Sequence, residues 1–428
     1  MSFFEHRQGV LHAEDVSLAA IGREVGTPVY VYSAAAIRSA ARAFRDGLHG
    51  IARKHIAFAV KANPNVAILR LLADERYGAD IVSEGELRQA LAGGMRPQDV
   101  LFSGVGKSNG EMIAALDAGI CQFNIELEEE GVFLSSLAQA QGTRACAVLR
   151  INPDVAAGTH PKISTGQSAN KFGVPIADAR SMYHRLSRLQ GLRLRGIALH
   201  IGSQISDLGR LEEAYVAAGA LVAALRADGH AITHVDLGGG LGIPYRQEDQ
   251  FPSPAAYGAM VERVTRTWDV TLMFEPGRLI AGAAGVLLTR VLWVKPGVEH
   301  PHVIVDAAMN DLARPAMYDA YHRFAAVAPD GERLVANIVG PVCESGDTFA
   351  KAREIDAVSR GDLAVFHTAG AYGASMASTY NSRALVPEVL VDGGRYSVVA
   401  DRGDGSQSLS RQHVPAWLDA PLPALARA

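Results

Sequence analysis

Four stretches of this chain set reactive side chains beside glycines or other small residues. They are Val60-Lys61-Ala62-Asn63, His200-Ile201-Gly202-Ser203, Asp236-Leu237-Gly238-Gly239-Gly240-Leu241-Gly242 and Glu275-Pro276-Gly277-Arg278. Lys61 follows the apolar run 56–60. A lysine at a buried strand end loses hydration, which is expected to lower its pKa and leave a neutral amine able to form an imine with an aldehyde. The plain alternative is a surface lysine whose stem covers apolar atoms. Glycines 238–240 let backbone N–H groups approach an anion closely. The run is not a G-x-G-x-x-G fingerprint, because Ile243 stands at the third glycine, and it is not a Walker loop. A simple tight turn is the alternative. Ser203 can add a hydroxyl donor.

Glu275 closes the apolar stretch 270–274, where a carboxylate must find a donor or a cation. Arg278 offers a purely structural ion pair. A pyridinium nitrogen is the other candidate, since a negative partner keeps such a nitrogen protonated and the ring an electron sink. His200 is either a satisfied core histidine or a flat platform for a ring. An amine, an anion cradle, a carboxylate and a stacking group together suit pyridoxal 5′-phosphate.

The elements that must position these groups are legible in the alternation of the chain. Strand-like runs lie at 55–60, 79–82, 100–103, 120–124, 146–151, 196–201, 234–237 and 270–275, with amphipathic stretches between them. Several runs are apolar without alternation, as in strands covered on both faces. This predicts an α/β fold with a (β/α)₈ TIM-like barrel over 35–282, a doubly wound sheet being the alternative. In a barrel, catalytic groups sit at the C-terminal ends of strands, and the four stretches end the first, sixth, seventh and eighth runs. Beyond 282 the texture becomes β-like and rich in Gly and Pro, with runs at 285–294, 302–306, 334–339, 363–367 and 384–391. Residues 283–428 are therefore expected to form a mostly antiparallel β domain, packed with the N-terminal segment 1–34 and its strand-like run 27–32.

With those residues in view, the chain resembles the diaminopimelate decarboxylase family, in the fold-type III, alanine-racemase-like group of pyridoxal-phosphate enzymes. The resemblance covers roughly 27–399. It rests on the four stretches above and on Asn152-Pro-Asp154, His160 with Ile163-Ser-Thr-Gly166, Asn170-Lys-Phe-Gly173, Arg314-Pro-Ala-Met-Tyr318, Cys343-Glu-Ser-Gly-Asp347 and Gly370-Ala-Tyr372. It implies that Lys61 carries the cofactor and that His200 stacks on its ring. Gly239, Gly240, Ser203 and the Gly277/Arg278 backbone would hold the phosphate, Glu275 the ring nitrogen, and Asp80 and Arg150 would support this set. Arg278, Arg314 and Tyr318 would bind the distal end of the substrate, Glu344 its ammonium, and Tyr372 both cofactor and substrate. Arginine suits a carboxylate through its planar fork of donors. Cys343 would deliver a proton to the product carbanion, against the commoner fate of an inert buried thiol. The family also implies decarboxylation of meso-2,6-diaminopimelate to L-lysine, a homodimer whose active sites are shared between chains, and a loop over 152–173 that closes on the substrate. This chain departs from the family at its end, where the stretch after Val399 lacks the usual basic strand.

Composition sets the outer limits. The chain has 428 residues, 48% of them hydrophobic, enough for a barrel plus a second domain. A formal charge of −4 gives no basic footprint for nucleic acid and no polybasic membrane patch. Cys121, Cys146 and Cys343 show no C-x-x-C spacing, so neither a disulfide framework nor a zinc site is expected. The N-terminus lacks the apolar core of a signal peptide, and a reduced, cytoplasmic setting follows as the expectation. Three competing functions remain within reach of these residues. They are decarboxylation of another basic amino acid or carboxylated polyamine, racemisation, and silent binding of the cofactor. The stretch 311–322 argues against the first, because a simple diamine product needs no clamp for a distal carboxylate.

Overall fold

The computed structural model describes residues 3–158, 160, 162, 165–166, 170–404 and 409–418. The chain opens with three short antiparallel strands, β1 (Phe4–Arg7), β2 (Val10–Ala13) and β3 (Val16–Ser17), followed by α1 (Leu18–Glu24). These strands are short and partly charged, so the sequence gives them no period-2 signal. Next come β4 (Val29–Ser33), buried along its whole length, and α2 (Ala34–Gly47), whose first turn is capped by the Ser33 hydroxyl accepting from the Ala36 N–H.

The barrel follows. Its strands are β5 (Lys54–Ala59), β6 (Gly78–Ile81), β7 (Val100–Phe102), β8 (Gln122–Ile125), β9 (Ala145–Asn152), with the two-residue β10 (Val174–Pro175) appended to it, then β11 (Leu192–Leu199), β12 (His234–Asp236) and β13 (Thr271–Phe274). All pairings are parallel, and the ring closes where β13 meets β5 with Leu272 opposite Lys54. That closure removes the doubly wound alternative, which would leave two open edges. The eight expected runs each form a barrel strand.

Helix starts explain why the chain turns where it does. Asn65, Ser83, Ser108, Asp207 and Ser253 each accept a backbone N–H at the entrance of a helix, and Ser108 and Glu111 form a reciprocal capping box. The helix preceding β5, α2, packs between the helix Val66–Asp74 and the helix Pro254–Thr265, completing the outer ring.

The second sheet is built from β14 (Gly285–Lys295), β15 (His302–Val305), β16 (Phe324–Ala326), β17 (Arg333–Val339), β18 (Thr348–Asp356), β19 (Leu363–Phe366), β20 (Glu388–Asp392) and β21 (Arg395–Ala400). It is mostly antiparallel, with parallel contacts only at β15–β17 and β20–β4. The N-terminal β4 lies inside it, paired with β14 on one side and β20 on the other. An all-buried strand must satisfy both its edges, and β14 and β20 satisfy those of β4. Strand β18 was not anticipated: Lys351, Arg353 and Glu354 mask its apolar face, and Arg333 of β17 pairs with Glu354 and Asp356 across the ladder. The barrel and the second sheet share a continuous buried core running from Tyr30 and Tyr32 to Phe366. Among the described residues, no helix is long and apolar enough to cross a membrane.

Candidate active site

The four reactive stretches converge at the C-terminal end of the barrel. Lys61 sits in a single 3₁₀ turn, Val60–Ala62, directly after β5. The turn is pinned to the second sheet, since Ala62 O accepts the Tyr372 N–H at 2.8 Å and the Asn63 side chain donates to Gly370 O at 2.9 Å. Lys61, His200, Ser203, Gly238, Gly239, Gly240, Glu275, Gly277, Arg278 and Tyr372 line one cleft. Adjacent space on one side adds Arg150, Ser103 and Asn124, and on the other Arg314, Tyr318, Tyr245 and His160.

The Lys61 ammonium donates to Asp80 Oδ2 at 2.5 Å, from β6. Asp80 is fully buried, and its Oδ1 has no hydrogen-bond partner. Burial disfavours the Lys61 charge, but Asp80, Glu275 and Tyr372 outweigh it, so the pKa is raised above the ordinary lysine value. This overturns the expected neutral amine. Desolvation acts as predicted, but the surrounding carboxylates decide the sign.

Glu275, 9% exposed after β13, sits on a buried polar network. Asn124 links it to Asp236, donating to Ser103 Oγ at 3.0 Å and, at longer range, to Asp236 and Glu275. Burial first, then Asp236 and Asp80, hold the Glu275 carboxyl well above its usual range, and it shares a hydrogen bond with Asp236. The alternative ion pair with Arg278 does not form. Arg278 instead donates to the Ser203 hydroxyl at 3.1 and 3.3 Å and to the Tyr245 hydroxyl at 2.7 Å, with Tyr372 under its guanidinium.

His200 follows β11, and its Nδ1 accepts the Gly239 N–H at 3.3 Å. Burial, then Arg150 and Lys61, push its pKa down to about 3. The ring is therefore a neutral imidazole with its proton on Nε2. The glycines are required sterically. A Cβ at Gly239 would lie 2.1 Å from Glu275 O, and one at Gly240, where φ is +109°, would lie 2.3 Å from Gly202 O. The loop is further clamped by Gln204, whose amide donates to Ile243 O and accepts from Ile243 N–H. Gln204, Asp236, Ser103, Asn124, Tyr245 and His322 were given no role from the sequence. Only Asp236 and Gln204 had a local signal, as members of the motif stretches.

Arg150, on β9, is bonded to Glu126 at 2.8 Å and lies over the Phe172 ring. Arg314 begins the helix Arg314–Tyr318 and is buried, donating to His322 Nε2 at 2.9 Å with Tyr245 beneath it. Tyr318 meets the His160 ring edge-on. Tyr372 adopts φ +56°, an unusual conformation for a bulky residue. From the stretch 152–173, Thr165 and Phe172 wall the cleft and Lys162 donates to Met317 O, whereas Ile163 and Ser164 lie outside the described residues.

Cys343 and Glu344 do not join this cleft within one chain. Both are exposed on the loop between β17 and β18. Buried Asp347 holds that loop, accepting the Met309 and Val342 N–H groups at 2.7 Å each.

The residues present fit pyridoxal phosphate on these observations. A buried carboxylate oxygen lacks a partner, a glycine turn leaves no space for side chains, and an amine, a carboxyl and a neutral imidazole share one cleft.

Residues 34–282 match the family model described as "Pyridoxal-dependent decarboxylase, pyridoxal binding domain". The chain is 47% identical over 418 residues to the diaminopimelate decarboxylase of Zymomonas mobilis, covering 97% of this chain and 99% of that one. The chain belongs to the pyridoxal-dependent decarboxylase family, in its diaminopimelate decarboxylase branch. Solved structures agree. Diaminopimelate decarboxylase from M. jannaschii in complex with L-lysine superposes with TM-score 0.92 at 34% identity, over 97% of this chain and 98% of that one. The Helicobacter pylori enzyme with L-lysine gives 0.88 at 36%, over 92% and 99%.

Proposed function

We propose that this chain, as a pyridoxal-phosphate carboxy-lyase, decarboxylates meso-2,6-diaminopimelate to L-lysine and CO₂. The observation that carries the substrate is the pair Arg278 and Arg314. Both guanidiniums are buried in the cavity that opens on Lys61, and among the described residues neither is paired with a carboxylate. A buried cation without a counter-ion is costly unless a ligand brings one. A substrate with a distal carboxylate supplies that charge. A precursor without one leaves both arginines unmatched, which disfavours the alternative decarboxylation of another basic amino acid.

When bound, pyridoxal phosphate would supply an electron sink for the pair released as CO₂ departs. The chain's own residues do the rest. Lys61 would carry the cofactor, and Asp80, already bonded to its Nζ, is placed to hold the amine's proton. Gly239, Gly240, Ser203, Gly277 and the Arg278 backbone would hold the phosphate. Glu275, with the proton it shares with Asp236, would meet the ring nitrogen, and neutral His200 would lie against the ring without opposing its positive charge. Arg150 would stiffen the wall through Glu126. Arg278, Arg314, Tyr318 and Tyr372 would orient the distal centre, deciding which end reacts.

In this reading Cys343 protonates the product carbon and Glu344 takes the distal ammonium, both reaching the cleft from a partner subunit in a homodimer. Their exposure on a rigidly held loop supports that arrangement. We further propose a cytoplasmic location and the division 1–34, 35–282 and 283–428. Its support is that the last barrel strand ends at Phe274 and β14 begins at Gly285.

The test is release of CO₂ from purified protein offered diaminopimelate, lysine, ornithine and arginine, followed by borohydride reduction and peptide mapping. Turnover of diaminopimelate alone, with the label on Lys61, is expected. Preference for a substrate without a distal carboxylate, or a label elsewhere, overturns the reading.

A further inference from the structure

Arg314 is held by an unusual pair of neighbours. Its Nη1 donates to His322 Nε2 at 2.9 Å, and its guanidinium carbon lies 4.7 Å from the Tyr245 ring centre. His322 is 1% exposed, and its Nδ1 lies 2.9 Å from His367 O. These two contacts settle the tautomer without any titration argument. A guanidinium only donates, so Nε2 must accept, and a carbonyl only accepts, so Nδ1 must carry the proton. The ring is thus a fixed, uncharged strut between the second sheet and the substrate cavity. Tyr245 packs edge-on against it at 5.5 Å, closing the other side.

The choice of a neutral partner has a consequence. Arginines in folded cores are commonly fixed by a carboxylate, which fixes direction and also neutralises charge. A carboxylate here would compete with the substrate's own. We propose that His322 is a positioning residue for carboxylate recognition, aiming the Arg314 guanidinium into the cavity while leaving its charge uncompensated. Burial, reinforced by Arg314, pushes the His322 pKa down to about 3, which keeps this arrangement unchanged over the working range. The inference rests on the dicarboxylate reading above, and adds a residue that touches neither cofactor nor substrate.

The experiment compares two ligands of the holoenzyme, L-lysine, which retains the distal carboxylate, and 1,5-diaminopentane, which lacks it. Affinities are measured for wild type, His322→Leu and His322→Gln, with cofactor content and circular dichroism as folding controls. Wild type should prefer L-lysine. In His322→Leu that preference should fall about tenfold or more, the effect of losing one charge-assisted hydrogen bond. KM for diaminopimelate should rise by a similar factor, with kcat changed far less. His322→Gln keeps an acceptor near the Nε2 position and should recover most of the preference. Equal weakening of both ligands in His322→Leu, or an unchanged preference, overturns the proposal while the dicarboxylate reading stands. A wild type that does not distinguish the two ligands overturns both.

Discussion

Replacing Arg314 with methionine separates binding from stability in a way the structure makes quantitative. The side chain is 7% exposed. Removing its charge from water costs several kcal/mol, by general experience with buried ions. Against this stand one charge-assisted hydrogen bond to His322, worth about 1.5–3 kcal/mol, and the Tyr245 ring, worth about 2 kcal/mol when desolvated. These nearly balance. Burial as the leading cause, aided by Arg278, holds the Arg314 pKa below its ordinary value, so the folded chain does not favour this charge. Methionine fills similar space but leaves His322 Nε2 without a donor, about 1–2 kcal/mol. Arg314→Met should therefore shift stability by no more than about 1–2 kcal/mol, a few degrees in Tm. In catalysis the variant loses a desolvated carboxylate partner, about 3 kcal/mol or roughly 150-fold in kcat/KM, mostly through KM. Steady-state CO₂ release and urea unfolding of the same preparations measure both. An unchanged KM removes Arg314 from the substrate clamp. A stability loss above about 4 kcal/mol would mean that its charge is already paired within the fold.

Three further outcomes follow from the same geometry. Mixing inactive Lys61→Ala and Cys343→Ala chains should restore about a quarter of wild-type turnover, because half of randomly paired dimers carry one intact site; no recovery after subunit exchange refutes a shared site. Gly239→Ala should cut cofactor affinity at least about tenfold, since its Cβ meets Glu275 O at 2.1 Å, whereas Gly394→Ala, with open space around it, should bind normally. Buried His367 has its pKa pushed down to about 3, by burial first and then Arg323. The unfolded chain therefore binds a proton that the folded chain refuses below about pH 6.5. The stability of wild type relative to His367→Phe should fall as pH drops from about 6.5 towards 3, by up to about 1.4 kcal/mol per unit. A pH-independent difference, read by urea titration at several pH values, contradicts the buried neutral imidazole.

Much of the site was readable because barrel chemistry is local in sequence. A strand end is a single point on the chain, so Lys61, His200, Gly239 and Glu275 each announce themselves beside an apolar run. The closed ring then brings four distant strand ends within one cleft. Sign and partner depend on what lies across that cleft, which no local stretch of sequence records. Lys61 was expected to be neutral, and only the convergence of Asp80, Glu275 and Tyr372 raises its pKa. Glu275 was offered Arg278, but β12 places Asp236 beneath it and the short helix Arg278–Ala281 turns the arginine towards Ser203 and Tyr245 instead.

The amino-acid sequence alone determined the eight strand runs and the helical stretches between them, through apolar spacing, and the inventory of reacting groups, through residues beside glycines at strand ends. Those are short-range properties, written in periodicity and steric tolerance. The closing of β13 on β5 decided for the barrel. Tertiary structure decided the charge states of Lys61 and Glu275, the neutral strut behind Arg314, and the enclosure of β4 by strands more than two hundred residues away. Electrostatic energies depend on distances between groups far apart in the chain, and those distances exist only once the ring has closed.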